Sequence, residues 1–147
     1  MTSQNIAEGF CSCGRWQLRI MLEKPLCDLT PRRCDCEYCR SHAVGHESDS
    51  DALVSDPGMK IALAGEALTI DQNGDRLAQF YRCHHCNDLL AVGRRIDGVL
   101  RGAVNARLLG SMSQFGEATQ VQPRLLTSDE KQQRWATLWG VLHGVKD

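Results

Sequence analysis

The residues best equipped for chemistry in this sequence are its eight cysteines, seven of which fall into three tight groups. They read Cys11-Ser12-Cys13, then Cys34-Asp35-Cys36-Glu37-Tyr38-Cys39, then Cys83-His84-His85-Cys86, with Cys27 standing apart. In an extended strand, side chains at i and i+2 point to one face, so a Cys-x-Cys pair can offer two sulfurs to one ion. On a helix the same two residues diverge by roughly 200°. Cys-x-x-Cys is the usual two-ligand turn of zinc sites. Together, Cys11, Cys13, Cys83 and Cys86 complete a closed four-cysteine site, which for zinc is structural. Cys34, Cys36 and Cys39 supply three corners of a second tetrahedron from one short loop. A fourth corner left to water or substrate is the arrangement of a catalytic zinc. The expectation is two zinc ions per chain.

Other readings of the same cysteines stay open. Cys27, His42 or His46 could close the second site and make it structural too. A thiol redox centre at Cys34 would need a strand followed by a helix N-terminus, a context that Thr30-Pro31 does not supply. An even cysteine count also fits disulfides, but such frameworks belong to short secreted chains and are not kept oxidised in a reducing cytosol. Cys27, without a partner in the motifs, reads as a buried small hydrophobe.

Length and composition bound the rest. At 147 residues the chain suits one domain, which at this size buries roughly 68–70% of the surface its unfolded chain exposes, so the cysteines are not needed merely to permit folding. The 42% hydrophobic and 24% charged fractions are ordinary for a globular protein and exclude a disordered tail, a collagenous repeat or a coiled coil. No apolar run reaches the ~18 residues of a membrane span, and the polar start Met1 to Asn5 lacks the basic-then-apolar pattern of a secretion signal. The expected compartment is the cytoplasm, with no membrane partner. Seventeen Lys and Arg against eighteen Asp and Glu leave a formal charge of -1. Thiolate ligation of two zinc ions would take it to about -4, so nucleic acid is not an expected partner. A local basic patch persists where Arg32, Arg33 and Arg40 bracket the second cysteine group.

The elements that must position these groups read as mainly β. Trp16, Leu18, Ile20 and Leu22 alternate with Gln17, Arg19 and Met21, a half-buried strand running directly out of the first cysteine pair. Met59 to Leu63 reads as a short strand. Leu68 to Ile70 pairs with Leu77 to Tyr81 across Asn73-Gly74, and Leu89 to Val92 with Val99 to Val104 across Asp97-Gly98, both hairpin signals. The core is therefore expected to be antiparallel. His46 to Asp56, acidic and serine-rich, reads as an exposed loop. Near the C-terminus, Thr127 and Glu130 form a capping box, and Trp135, Leu138, Trp139 and Leu142 recur at helical spacing as a stripe packed on the sheet, with Gly144 ending the helix.

Taken in order, Cys11-Ser12-Cys13-Gly14, Cys34-Asp35-Cys36-Glu37-Tyr38-Cys39-Arg40, Gly65 and Cys83-His84-His85-Cys86 resemble the glutathione-dependent formaldehyde-activating (Gfa) family, whose domain also occurs in centromere protein V. The resemblance runs from Cys11 to about Asn105. It implies a single β-tent (Mss4-like) domain of antiparallel sheets around a structural zinc, with its core at about 7–107 and a C-terminal helical extension at about 127–143. It implies glutathione as the thiol and formaldehyde or a related aldehyde as the carbonyl, hence carbon-sulfur lyase chemistry forming an S-hydroxymethyl adduct at Cys34, Cys36 and Cys39. Arg32, Arg33 and Arg40 are placed to bind the carboxylates of the thiol ligand, and His42 and His46 are candidate proton shuttles. The rival reading is a non-catalytic zinc module that binds glutathione or a protein partner. The oligomeric state is open. This chain departs from the family pattern at Glu37, where Ser is usual, at Arg82, where Phe is usual, at Asn87, where Gly is usual, and at Gly45, which comes one residue late.

Overall fold

The computed structural model describes residues 5–34, 52–72, 78–110, 114–116, 119–121 and 127–144. Strands dominate them. β1 (Asn5–Phe10) and β2 (Trp16–Leu22) form an antiparallel hairpin around the first cysteine pair. In β2 the alternation holds as read: Trp16, Leu18, Ile20 and Leu22 are buried, and Gln17 and Arg19 are exposed. β3 (Arg32–Cys34) and β4 (Leu53–Val54) follow, then β5 (Lys60–Gly65), β6 (Leu68–Gln72), β7 (Gln79–Cys83), β8 (Leu89–Ile96) and β9 (Val99–Asn105). β10 (Thr119–Val121), a helix over Ser128–Leu138 and β11 (Gly140–His143) complete the order.

All of these strands belong to one sheet. β6, β7, β8 and β9 pair in sequence order, each antiparallel to the next. The far edge of β9 is shared: its first half pairs with β11 and its last residues with β4. From there the sheet continues in two directions, through β11 to β5, β2 and β1, and through β4 to β3 and β10. The antiparallel expectation is met except in two ladders, β11 with β5 and β10 with β3, which are parallel.

Both hairpin signals found their strands. Ile70 lies opposite Tyr81, while the residues 73–77 that contain Asn73-Gly74 lie outside the described part. At the second hairpin Ile96 faces Val99, so Asp97 and Gly98 alone make the turn, with φ of 51° and 82°. Two consecutive positive φ values are those of a type I′ turn, whose twist matches that of the strands it joins.

Apolar side chains separate onto the two faces of β7–β9. Tyr81, Leu90, Leu100 and Val104 join Leu18, Ile20, Ile61, Leu63 and Leu142 in the larger core. Phe80, Leu89, Val92 and Ala103 meet Trp139 in a smaller one, with Trp135 and Leu138 packed against it. Coverage on both sides explains why Leu89 to Gly93 are all buried rather than alternating.

Two expectations are corrected. The helical stripe does not reach Leu142. The capping box forms, with Thr127 Oγ1 accepting from the Glu130 amide at 3.2 Å and Glu130 accepting from the Thr127 amide at 2.9 Å, but the helix ends at Leu138. The chain then enters the sheet as β11, where the Val141 amide donates to the Met59 carbonyl at 3.0 Å. Gly140 makes this entry possible, since a Cβ there would lie 2.5 Å from the Met59 carbonyl oxygen and 2.9 Å from that of Asp56. Gly144, at φ 93°, ends a strand instead of a helix. The segment 46–56 is not an exposed loop throughout: 46–51 lie outside the described residues, but Ala52 and Val54 are fully buried and β4 pairs with both β3 and β9. Its apolar run, Ala52 to Val54, is too short to register as a strand pattern, and its burial depends on neighbours distant in sequence.

Candidate metal centre

Each cysteine pair sits in the turn of a hairpin. Cys11 follows β1 directly; its amide donates to the Trp16 carbonyl at 3.1 Å, and its carbonyl accepts from Gly14 at 2.9 Å, where a φ of 79° turns the chain. The Trp16 amide also points at the Cys11 sulfur, 3.3 Å away. Cys83 ends β7 and repeats the scheme. Its amide donates to the Asp88 carbonyl at 3.0 Å and its carbonyl accepts from Asn87 at 2.9 Å, with Asn87 at φ 63°. Asparagine is among the few residues besides glycine that accept this region.

The larger core brings the two turns together. Cys11 Sγ lies 3.6 Å from Cys13 Sγ, which lies 3.6 Å from Cys83 Sγ, and all four sulfurs of Cys11, Cys13, Cys83 and Cys86 are within 4.8 Å of one another. None of the four is in a disulfide. Zinc held tetrahedrally by thiolates at its usual bond length spaces the sulfurs about 3.8 Å apart. The donor set, number and spacing therefore suit a metal ion, consistent with zinc. Cys11 and Cys83 are buried, Cys86 is half-buried and Cys13 is exposed, so the core covers one side of the centre. Hydrogen bonds from the Arg15 backbone and side chain, with others from Cys11 and Cys83, lower the Cys13 thiol to about 6. Burial pushes Cys86 up to about 12. A bound cation reverses the second effect, because ligation requires the thiolate.

Residues between and beside the cysteines complete the frame. Asp88 Oδ2 accepts from the Ser12 amide at 2.7 Å and the Ser12 hydroxyl at 2.5 Å, and Asp88 Oδ1 lies 3.5 Å from Arg107 Nη2. Burial raises the Asp88 carboxyl, but the Ser12 bonds and the Arg107 charge outweigh it and hold the group below its ordinary value. Arg82, 5% exposed, donates to Asn87 Oδ1 at 3.1 Å and to the Asn87 carbonyl at 2.5 Å. His84 and His85 are exposed; His84 Nδ1 meets Thr69 Oγ1 at 3.0 Å. Sequence reasoning missed Asp88, Ser12 and Arg107. The signal available was a serine between two ligands and an aspartate two residues past another, residue types that habitually bond turn amides.

Of the second cysteine group, only the backbone of Cys34 is described: it ends β3 opposite Val121. Cys36, Cys39, Arg40, His42 and His46 lie outside the described residues, as does the Arg33 side chain. Arg32 is half-buried, and burial, together with the nearby charge of Arg134 on the C-terminal helix, lowers its pKa. Cys27 is not a buried hydrophobe. It is exposed in a single 3-10 turn, Leu26–Asp28, where Leu26 packs against the core and Leu29 just beyond is buried. Among the described residues no helix is long and apolar enough to cross a membrane.

No family model and no curated protein matches the chain. A crystal structure of a protein from Rhodobacter sphaeroides is similar to it, with a TM-score of 0.50 and 26% sequence identity over 76% of this chain and 99% of the other. That likeness bears on the fold.

Proposed function

We propose that this protein is a two-zinc member of the Gfa type, with a β-tent (Mss4-like) fold, that handles glutathione and an aldehyde in the cytoplasm. The observation that carries the reading is the closure of Cys11, Cys13, Cys83 and Cys86 into one centre. Four thiolates satisfy a structural zinc, so Cys34, Cys36 and Cys39 are left as a separate set of three, the number that keeps a coordination position open. Zinc in that set, when bound, supplies a thiolate from an incoming thiol near neutral pH.

The reaction is an addition. A carbon-sulfur bond forms between the thiol sulfur and the carbonyl carbon of formaldehyde, and the thiol proton passes to the carbonyl oxygen, giving an S-hydroxymethyl adduct with no change of oxidation state. Arg32, Arg33 and Arg40 bind the carboxylates of glutathione, for which the planar guanidinium has matching geometry. A half-buried guanidinium pressed by a second positive charge, as Arg32 is by Arg134, gains from an anion at its side. His42 and His46 are suited to carry the proton.

The test has two readings. Metal analysis is expected to find two zinc ions per chain, reduced to one in Cys39→Ser with the fold retained. Adduct formation from glutathione and formaldehyde, followed by NMR, is expected to exceed its spontaneous rate and to lose that excess in the same variant. A single zinc in the wild type, or no acceleration, overturns the catalytic reading.

A further inference from the structure

The two halves of the four-cysteine centre are each local, but nothing local holds one against the other. Residues 11–13 turn at the end of β1, residues 83–86 turn at the end of β7, and β1 and β7 are not paired. The four sulfurs lie within 4.8 Å of one another but share no disulfide, so without an ion no covalent link holds this seam. Among the described residues, the Ala67 carbonyl bridges its outer side, accepting from Trp16 Nε1 at 3.2 Å and from the His84 amide at 3.0 Å, and Asp88 crosses it at the ligands themselves.

We propose that Asp88 is a positioning residue that clamps the Cys11/Cys13 turn to the Cys83/Cys86 turn and so governs how tightly the centre retains its metal. The proposal rests on the reading of these four cysteines as a metal centre. Through its backbone, Asp88 belongs to the second turn, its carbonyl accepting from the Cys83 amide at 3.0 Å. Through its side chain it grips the first, at the residue between the two ligands. The 2.7 Å bond to the Ser12 amide and the 2.5 Å bond to the Ser12 hydroxyl both end on one carboxylate oxygen. The other oxygen faces Arg107, and this third anchor is itself fixed. The Arg107 amide donates to Asn105 Oδ1 at 3.2 Å, while Asn105 Nδ2 donates to the Leu89 carbonyl at 2.9 Å, with Asn105 fully buried. The 3-10 turn Ala106–Leu108 that carries Arg107 lies against β1, since a Cβ on Gly9 would overlap the Leu108 carbonyl. The clamp is thus braced from the sheet on both sides of the seam. Arg107 also offsets a carboxylate that would otherwise add negative charge beside four thiolates.

Held this way, the sulfurs stay near their ligating spacing without the metal, so less ordering remains to be done when the ion binds, and an ion that dissociates finds its site intact. The experiment measures zinc release from the intact protein to a chromophoric chelator, together with the absorption spectrum of the cobalt-substituted form. In Asp88→Ala, release is expected to be about 10–100-fold faster, the usual loss when a partner behind the ligands is removed, with altered cobalt bands. Asp88→Asn keeps one acceptor oxygen and Ser12→Ala keeps the amide donor, so both are expected to fall between Asp88→Ala and the wild type. These milder variants carry the test if Asp88→Ala does not fold. Asp56→Asn breaks a surface ion pair with Lys24 away from the centre and is expected to release zinc at the wild-type rate. Wild-type release from the Asp88 and Ser12 variants overturns the clamp, as does equal acceleration in Asp56→Asn, which would make the effect one of general stability. A wild-type protein that binds neither zinc nor cobalt overturns the metal reading itself.

Discussion

Arg82 and Asn87 stand where the Gfa pattern has Phe and Gly, and they are partners. The arginine is almost wholly buried and reaches both the side chain and the carbonyl of the asparagine. The two departures from that pattern are therefore coupled in this chain, a buried cation meeting a side-chain acceptor and a carbonyl of the turn. Asn87 therefore holds a positive φ and a buried cation at once. Asn87→Gly relieves the backbone but leaves Arg82 with one fewer acceptor, and weakening the hydrogen bonding of a buried charged group costs about 1–3 kcal/mol. The expected outcome is a lower urea midpoint with an unchanged slope, although glycine is the residue that the resembled pattern has there. An unchanged midpoint would mean that the side-chain bond contributes no more than the backbone relief that glycine brings. A single position read against a family pattern could not show this coupling, because the compensation sits five residues away.

At the scale of elements, the decisive piece is β11. It lies between β5 and β9, parallel to one and antiparallel to the other, and it sends Leu142 into the larger core while Trp139 at its entrance joins the smaller one. The helix before it is short and amphipathic, and the Trp135 and Trp139 rings stack 4.7 Å apart at 8° across its end. Helical spacing in the sequence persisted through Leu142 because residues three and four apart can also straddle a helix end and the first strand residues. The chain is already extended at Trp139 and enters the sheet through a close approach of backbones at Gly140. Gly140→Ala forces a Cβ against two carbonyl oxygens that belong to the main chain and cannot rotate away, so a loss of about 1–3 kcal/mol is expected. Hydrogen exchange should show it first at the amides of Val141 and Leu142. If those amides keep their protection, β11 does not depend on that glycine.

For the whole molecule, β9 is the axis and the cysteine centre is the tie. β9 connects the β6–β8 meander to both continuations of the sheet, while the centre joins the β1–β2 hairpin to the β7–β8 hairpin beside their turns. Few other described groups link those turns besides Asp88, so removing the metal should loosen them before the rest of the sheet. A structural zinc contributes its binding energy to folding. Treatment with a strong chelator at neutral pH is therefore expected to lower the thermal midpoint by well over 10 °C, the scale of a loss of several kcal/mol in a domain this size. Restored zinc should recover it. An unchanged midpoint would mean that the four sulfurs pack as ordinary core atoms.

The local elements were legible from the sequence alone because their causes are local: alternation in β2, the positive-φ turn at Asp97-Gly98, the capping box at Thr127, and the Cys-x-Cys and Cys-x-x-Cys spacings that made metal ligation the leading explanation of the sulfur. Tertiary structure decided what spacing does not encode. It put two cysteine pairs seventy residues apart within bonding distance of one ion, and it drew β4 and β11 into the sheet from segments that read as loop and helix. It left Cys27 in solvent and set Asp88 across the seam between the half-sites. The physical reason is common to all four. Periodicity reports which face of a segment is apolar, whereas the partner that face meets depends on where the whole chain can bury surface and pair its backbone groups.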